Sequence, residues 1–187
     1  MQKKELPPSE ALYPIPVVLV SCLDKDSKKT NVITIAWCGV VCSNPPLISI
    51  SIRPSRYSHK LILETKDFVV NIPSTDILKG SDFCGIHSGR DLDKLEACSF
   101  TTAPSSKVSS PLINECPVNI ECSLKEVIKL GSHDMFIGKV LCVHADDGII
   151  CKNGNVDYAK AKPFVYNQGE YWSLAKKVGR YGFSNDK

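Results

Sequence analysis

The sequence has no long apolar run and none of the short motifs that hold nucleotide phosphates. No window of its 187 residues approaches the roughly twenty consecutive apolar residues that a membrane-spanning helix requires. The pattern Gly-x-Gly-x-x-Gly and the Walker phosphate loop are also missing. The sequence therefore does not support a Rossmann site, a nucleotide-hydrolase site or a membrane span.

The chain also lacks a secretory signal and a strong bias of charge. The segment Met1-Gln-Lys-Lys-Glu-Leu-Pro-Pro8 carries basic residues, but no apolar core follows them. The formal net charge is +3, and no run of lysine and arginine is longer than two, so the sequence predicts no basic patch for nucleic acid. We expect a cytoplasmic protein that binds neither nucleic acid nor a membrane.

The nine cysteines do not have the spacing of a metal site. Structural zinc sites usually contain Cys-x2-Cys pairs, and this pattern is absent from the sequence. In a reducing cytoplasm we expect free thiols. Four cysteines lie in apolar runs and are predicted to be buried as small hydrophobic residues: Cys22, Cys38, Cys122 and Cys142. Cys84, beside Gly85 in a polar segment, is predicted to be the most exposed and reactive.

Two strands are predicted in the stretch from Asn31 to Arg53. They are Asn31 to Trp37 and Leu47 to Arg53, separated by a Pro-Pro break. Polar residues recur at alternate or near-alternate positions: Asn31, Thr34, Ser49, Ser51 and Arg53. Because side chains alternate between the two faces of a strand, this pattern predicts a sheet face that borders a polar ligand.

The rest of the chain also favours strands over helices. Further strands are predicted at Val17 to Leu23, Phe68 to Asn71, Val118 to Leu130 and Met135 to His144, with hairpins before Asn31 and near Gly131. Short helices are predicted after Ser58, from Thr75 to Lys79 and from Asp91 to Leu95, with Ser58 and Ser74 as N-caps. Residues 84–90 and 101–117 are predicted to be loops.

These elements predict one mainly β domain over residues 1–187, a β-barrel with a few short helices. A doubly wound sheet would need long amphipathic helices between its strands, and the sequence has none.

Several further segments carry polar and aromatic residues in a fixed order. They are Arg56-Tyr-Ser-His-Lys60, Cys84-Gly-Ile-His-Ser-Gly-Arg-Asp-Leu-Asp-Lys94, Gly131-Ser-His-Asp-Met-Phe-Ile-Gly-Lys-Val140, Tyr166 and Tyr171-Trp172. Together with the paired strands, they resemble the flavin reductase-like family of FMN-binding split barrels, and most closely its flavoredoxin branch. The resemblance covers nearly the whole chain and implies bound FMN in a split barrel.

The resemblance implies a set of cofactor-binding residues, and no catalytic side chain or metal ligand is assigned. The set is Asn31, Thr34, Ala36, Trp37, Ser51, Arg53, Tyr57, Ser58, His59, Lys94, His133 and Tyr166. Asn31 and Thr34 offer hydrogen bonds to the flavin ring, together with the backbone around Ala36 and Trp37. The alternative for Trp37 and for Tyr166 is ordinary packing.

The phosphate of FMN needs donors and positive charge, which the start of a helix supplies through its free N–H groups and its dipole. Ser58, His59 and Lys60 are predicted at such a start, and Arg53 and Lys94 can add charge. The alternative is that Ser58 is only a cap and that Lys94 is only a surface charge.

His133 lies in a segment that matches the family, where the histidine reaches the flavin. Its ordinary pKa near 6.5 would let it donate a hydrogen bond to the cofactor or share charge with it. The alternative is a structural histidine, and Asp134 could either pair with it or point outward.

The function implied by the resemblance is reduction of FMN by NADH or NADPH, followed by transfer of the electrons to a second acceptor. An alternative is a flavoredoxin-like electron carrier that a protein partner reduces. A third is a structural or thiol protein without flavin. The resemblance also implies a homodimer, to which Tyr171, Trp172 and Phe183 could contribute an apolar surface.

Overall fold

Strands dominate the computed structural model, which describes residues 1–185. The strands are β1 (Ile15–Pro16), β2 (Val18–Leu23), β3 (Thr30–Ile35), β4 (Cys38–Ser43), β5 (Pro46–Ile52), β6 (Asp67–Ile72), β7 (Thr102–Ala103), β8 (Leu112–Ile113), β9 (Val118–Lys129), β10 (Asp134–Ala145), β11 (Phe164–Asn167) and β12 (Glu170–Ser173). The α-helices are α1 (Tyr57–Thr65), α2 (Leu78–Ile86), α3 (Lys94–Cys98) and α4 (Tyr158–Ala161), and 3₁₀ turns lie at Thr75–Ile77, Asp147–Ile149 and Phe183–Asn185. The predicted mainly β class is confirmed.

Seven strands form one antiparallel sheet in the order β3-β2-β6-β9-β10-β5-β4. A smaller sheet has the order β1-β11-β12, and β7 pairs with β8. β9 and β10 are the longest pair, and two irregularities in their register bend them. No helix in the described residues is long and apolar enough to cross a lipid bilayer.

One hydrophobic core joins strands from distant positions in the sheet order. Ile33 of β3 and Ile52 of β5 belong to the same buried cluster as Phe68 and Phe136, and Leu61 of α1 completes it. A flat sheet could not bring these side chains together. The sheet therefore curves around this core, as the predicted barrel requires.

A second core covers the opposite face of β2 and β3. Leu19 and Val32 pack there with Cys84 of α2 and with Phe100 and Ile113 from the following segment. β3 is thus buried on both faces, between the barrel core on one side and α2 on the other. Because side chains alternate along the strand, this double burial fixes its register.

The six predicted strands are confirmed within two residues at each end, but six others were missed: β1, β4, β7, β8, β11 and β12. β7 and β8, of two residues each, lie in the segment 101–117 that was predicted to be a loop. β4 has mostly exposed or partly exposed side chains and is held by its pairing with β5, so its sequence carries little strand signal. β11 and β12 are four residues each and depend on pairing with each other and with β1. The Pro-Pro break is also shorter than predicted, because Pro46 opens β5.

The predicted N-cap at Ser58 is wrong. α1 begins at Tyr57, with Arg56 in the cap position and no side-chain cap, so Ser58 lies inside the first turn. The cap at Ser74 is confirmed, since its side chain accepts a hydrogen bond from the N–H of Asp76. Two helices differ in extent from the prediction. Thr75 to Ile77 form a 3₁₀ turn, after which α2 runs through Cys84 to Ile86, and α3 begins at Lys94 instead of Asp91 and ends at Cys98.

The prediction that Cys84 is exposed is wrong as well. Its side chain is fully buried because α2 packs on β2 and β3. Cys22 and Cys122 are buried as predicted, whereas Cys38 and Cys142 are partly exposed. Cys38 lies on the edge strand β4, and Cys142 lies beyond the part of β10 that pairs with β5. All nine cysteines are free thiols, as expected.

Replacing Gly138 with alanine should destabilise the barrel. The added methyl group would lie 2.5 Å from Cζ of Phe68 and 3.0 Å from Cβ of Cys122. Phe68 is fully buried, so we expect an overpacking cost of about 1–3 kcal/mol in the free energy of unfolding. Urea denaturation followed by circular dichroism measures this loss. Gly148→Ala is the matched control, because its methyl group would meet nothing within 4 Å. Equal stability of the two variants would contradict this account of the core.

Candidate functional site

A cleft of about 430 Å³ lies where β3 and β5 end, beside α2 and the small sheet. We call it the main cleft. Residues 34–37, at the end of β3 and just after it, form one wall, and residues 51–53, at the end of β5 and just after it, form another. Side chains from α2 and those of His133, Tyr166 and Tyr171 complete the lining. The sheet places these groups together because β3 and β5 both contribute to the barrel core just below them.

Three aromatic rings form one side of the main cleft. The rings of Trp37 and His133 are nearly parallel, with an interplanar angle of 10° and centroids 6.1 Å apart. Tyr166 lies 6.2 Å from Trp37 by ring centroids. Trp37 is 42% exposed, so this surface faces outward instead of being sealed in a core. Such a surface suits a planar, partly apolar ligand.

The polar groups of the main cleft are mostly held by neighbours. The Thr34 hydroxyl donates to the carbonyl of Ser81 in α2. The Tyr171 hydroxyl donates to the Asp82 carboxylate over 2.9 Å, and burial together with this bond raises the pKa of Tyr171 to about 12. These bonds tie β3 and the small sheet to α2, so the walls of the cleft are mutually braced.

His133 lies in the turn between β9 and β10, with Nδ1 2.9 Å from the Ser132 hydroxyl. Partial burial lowers its pKa, and the positive charge of Arg53 lowers it further. A lowered pKa keeps the imidazole neutral over more of the physiological pH range. At neutral pH the main cleft therefore offers a neutral imidazole next to a permanently charged guanidinium.

A second cavity of about 270 Å³, the side pocket, lies between the β2–β3 turn, Tyr57 and residues 89–94. The Arg90 guanidinium stacks on the Tyr57 ring, 5.1 Å from its centroid. The Tyr57 hydroxyl donates to Asp24, 2.8 Å away. Hydrogen bonds from Ser27 and Tyr57 lower the pKa of Asp24, so this carboxylate is already occupied.

Lys94 is a buried cation on the wall of the side pocket. Its Nζ donates to the carbonyls of Cys84 at 3.0 Å and His87 at 3.3 Å. None of the salt bridges within residues 1–185 involves Lys94. Burial lowers its pKa. An ammonium has three N–H donors, so one remains for a ligand, and the charge lacks a carboxylate counterion.

Two of the predicted residues, Ser58 and His59, line neither cavity. The Ser58 hydroxyl is buried and accepts a hydrogen bond from Nδ2 of Asn31 at 2.7 Å. Nε2 of His59 lies 2.8 Å from Oδ2 of Asp134 in a buried pair, and its ring packs edge-on against Phe136. Asp134 therefore pairs with His59, whereas the sequence predicted that it would either pair with His133 or point outward. These side chains join α1 to β3 and to the start of β10.

The structure brings most of the predicted site residues together around two neighbouring cavities. On the main cleft lie Thr34, Ala36, Trp37, Ser51, Arg53, His133 and Tyr166. On the side pocket lie Asn31, Tyr57 and Lys94. The two cavities share β3 and the segment that runs from α2 to α3. Their roles toward a ligand stay predictions.

Sequence reasoning missed several residues that line these cavities. Arg56, Arg90 and Tyr171 lie within the motifs quoted above, and their proximity to matched residues was a usable signal. Gly89 is a further case, because a methyl group there would lie 1.9 Å from Oδ1 of Asn31. Asp82 had no sequence signal, since only the fold brings it to Tyr171.

A family described as the flavin reductase like domain matches residues 11–175 of this chain. A protein of Archaeoglobus fulgidus described as uncharacterized is 36% identical over 148 residues, which is 79% of this chain and 81% of that protein.

Two solved structures share the fold over nearly the whole chain. Flavoredoxin of Desulfovibrio vulgaris superposes with a TM-score of 0.93 at 30% identity, covering 99% of this chain and 100% of that one. An FMN-binding protein from Thermus thermophilus has a TM-score of 0.79 at 24% identity, covering 96% and 97%. The predicted split-barrel fold is confirmed. By its sequence match and its fold, the chain belongs to the flavin reductase-like family of flavoproteins.

Proposed function

We propose that the protein binds FMN, with the isoalloxazine ring in the main cleft and the phosphate near the cations between the main cleft and the side pocket. The main cleft, at about 430 Å³, falls within the range of roughly 300–1,000 Å³ that is usual for ligand pockets. Its aromatic wall suits a planar ring. The observation that carries the proposal is Lys94, a buried ammonium with a spare donor and no carboxylate partner.

The charges around the two cavities fit an anionic group. Arg53 and Arg56 line the main cleft at the start of α1, and Arg90 and Lys94 line the side pocket. Three carboxylates line the side pocket with Lys94, and none forms a salt bridge with it: Asp24 accepts from Ser27 and Tyr57, Asp93 accepts from the first N–H groups of α3, and the third is Asp91. We assign phosphate recognition to these cations, with Asn31 and Tyr57 beside them.

Bound FMN would supply two-electron redox chemistry between NADH or NADPH and a second acceptor. The residues of this chain bind and orient it. Trp37, His133 and Tyr166 would exclude water from one side of the ring. His133, which burial and Arg53 hold neutral, would donate a hydrogen bond to the cofactor without adding a second positive charge beside Arg53.

The activity we propose is NAD(P)H-dependent flavin reduction in the cytoplasm. The sequence has no dinucleotide-binding motif, so the nicotinamide must reach the flavin through an open face. The exposure of Trp37 supports such access. The second candidate is an electron carrier that a protein partner reduces, and the similarity to flavoredoxin favours it.

We also propose that the protein is a homodimer. β4 and the second half of β10 carry several apolar side chains that are exposed: Val40, Val41, Leu141 and Val143. Apolar residues exposed on a surface commonly mark a protein interface where they form a contiguous patch. Of the aromatic residues predicted for this role, Trp172 and Phe183 are exposed, but Tyr171 is partly buried and bonded to Asp82.

The first prediction from this proposal concerns the electron donor. FMN-reconstituted protein should lose its yellow colour under anaerobic conditions when NADH or NADPH is added, as measured by visible absorbance. Protein that binds FMN but stays yellow with both nucleotides would favour the electron carrier. Protein that does not take up FMN would contradict the proposal as a whole.

The second prediction concerns Lys94. Lys94→Met should weaken FMN binding by about 10- to 100-fold, because a hydrogen bond to a charged group contributes roughly 1.5–3 kcal/mol. Riboflavin, which has no phosphate, should bind to the variant and to the wild type equally. Flavin fluorescence titration measures both affinities. Lys60→Met is the matched control, since Lys60 is exposed and paired with Glu64. An equal loss for riboflavin would show that Lys94 acts on the ring site and not on the phosphate.

The third prediction concerns assembly. Light scattering after size exclusion should give the mass of a dimer for the wild type and of a monomer for Val40→Lys, because a lysine buried in an apolar interface carries a large desolvation cost. Val178→Lys replaces an even more exposed valine outside β4 and β10 and should leave the dimer intact. A wild-type monomer at micromolar concentration would remove this part of the proposal.

A further inference from the structure

Two cysteines on adjacent helices hold their thiols side by side. Sγ of Cys84 in α2 lies 3.8 Å from Sγ of Cys98, the last residue of α3. The two helices approach closely here, as the glycine at position 80 shows: a methyl group on Gly80 would lie 3.3 Å from Cβ of Cys98. Of the nine cysteines, all within the described residues, only these two have thiols in hydrogen-bonding contact with each other.

The two thiols differ in access to solvent. Cys98 is partly exposed and lines a surface cavity of about 320 Å³, together with Gly80 and Phe100. Cys84 is fully buried in the core between α2 and β3. A small oxidant can therefore reach Cys98 directly, but can reach Cys84 only after the helices move.

We propose that Cys98 and Cys84 are a redox pair that a hydroperoxide converts to a disulfide. The Cys98 sulfur attacks the peroxide, the O–O bond breaks, and an alcohol or water leaves as Cys98 becomes a sulfenic acid. The Cys84 thiol then attacks the Cys98 sulfur, the S–O bond breaks, and water leaves with the thiol proton. The two sulfurs lose two electrons in total, and the peroxide gains them.

The surroundings make this oxidation slow but do not prevent it. Burial raises the pKa of both thiols, that of Cys84 to about 12, so the reactive thiolate is scarce at neutral pH. A disulfide bond is about 2.05 Å long, so the sulfurs must approach from their present separation. The pair is thus suited to sustained exposure to oxidant and not to rapid peroxide turnover.

A disulfide between Cys84 and Cys98 would affect both the main cleft and the side pocket. Gly85 and Ile86 follow Cys84 in α2 and line the main cleft. Lys94 begins α3 and donates to the carbonyl of Cys84, so it spans the same two helices. Drawing Cys84 toward Cys98 shifts this carbonyl and the wall of the cleft together. We expect the disulfide to weaken FMN binding, a consequence that rests on the proposed function.

The test begins with the reduced protein, treated with hydrogen peroxide, denatured, alkylated and digested for mass spectrometry. The main product should be a cross-link between the peptides of Cys84 and Cys98. In Cys84→Ser, dimedone should trap a sulfenic acid at Cys98. In Cys98→Ser, the link should be absent and Cys84 should be alkylated as a free thiol.

Cys151→Ser is the matched control, because it removes the exposed cysteine and should leave the cross-link unchanged. Oxidation confined to Cys151 would overturn the proposal. A link from Cys84 to Cys116, which lies in the same buried cluster, would overturn it equally.

A second measurement tests the effect on the cofactor site. Peroxide-treated wild type should bind FMN about fivefold or more weakly than reduced protein, while Cys98→Ser should bind it equally before and after treatment. Equal affinity of the oxidised and reduced wild type would overturn the coupling. If reduced protein bound no FMN, the proposed function would fail, whereas the cross-link would still be judged by mass spectrometry.

Discussion

The burial of β3 on both faces is the constraint from which the rest of the site follows. Ile33 and Ile35 lie in the barrel core, and Val32 lies in the second core beneath α2. A slip of one residue would exchange these faces and take Asn31 and Thr34 away from their hydrogen-bond partners, so the register is fixed. With the register fixed, Asn31 is held against α1, Thr34 against α2, and the strand delivers Ala36 and Trp37 to the cleft.

Exposed and buried cations both line the cavities, and their difference in burial gives them different effects on an anionic ligand. Arg53 and Arg56 are exposed, so water and salt screen their charges and they act mainly on the approach of an anion. Lys94 is buried, and its charge interacts more strongly with an anionic ligand because the protein interior is less polarisable than water. Its carbonyl contacts offset only part of the desolvation, and an anionic ligand would offset more. The strongest electrostatic discrimination is therefore expected at Lys94.

The sequence predicted the elements whose stability is local and missed those that depend on distant partners. Alternating or β-branched runs identified β2, β3, β5, β9 and β10, while β4 and the small sheet exist only through pairing with other strands. Ser58 has the chemistry of a cap, but the amide of Asn31 bonds its hydroxyl inside the helix. Cys84 looked exposed because its neighbours in the chain are polar or small, and its burial depends on β2 and β3.

The candidate site shows the same division between sequence and fold. The resemblance to the flavin reductase-like family predicted ten of the residues that line the two cavities, yet it did not separate those residues from Ser58 and His59, which brace them. The buried pair of His59 and Asp134 explains why bracing matters. Asp134 directly follows His133 and pairs in the sheet with Ile52, which precedes Arg53. Because removing one partner of a buried pair leaves the other uncompensated, this contact keeps the start of β10 in place. His133 and Arg53 thereby keep the proximity that adds to the effect of burial in lowering the pKa of the imidazole, so a pair outside the cavity supports the arrangement of charges within it.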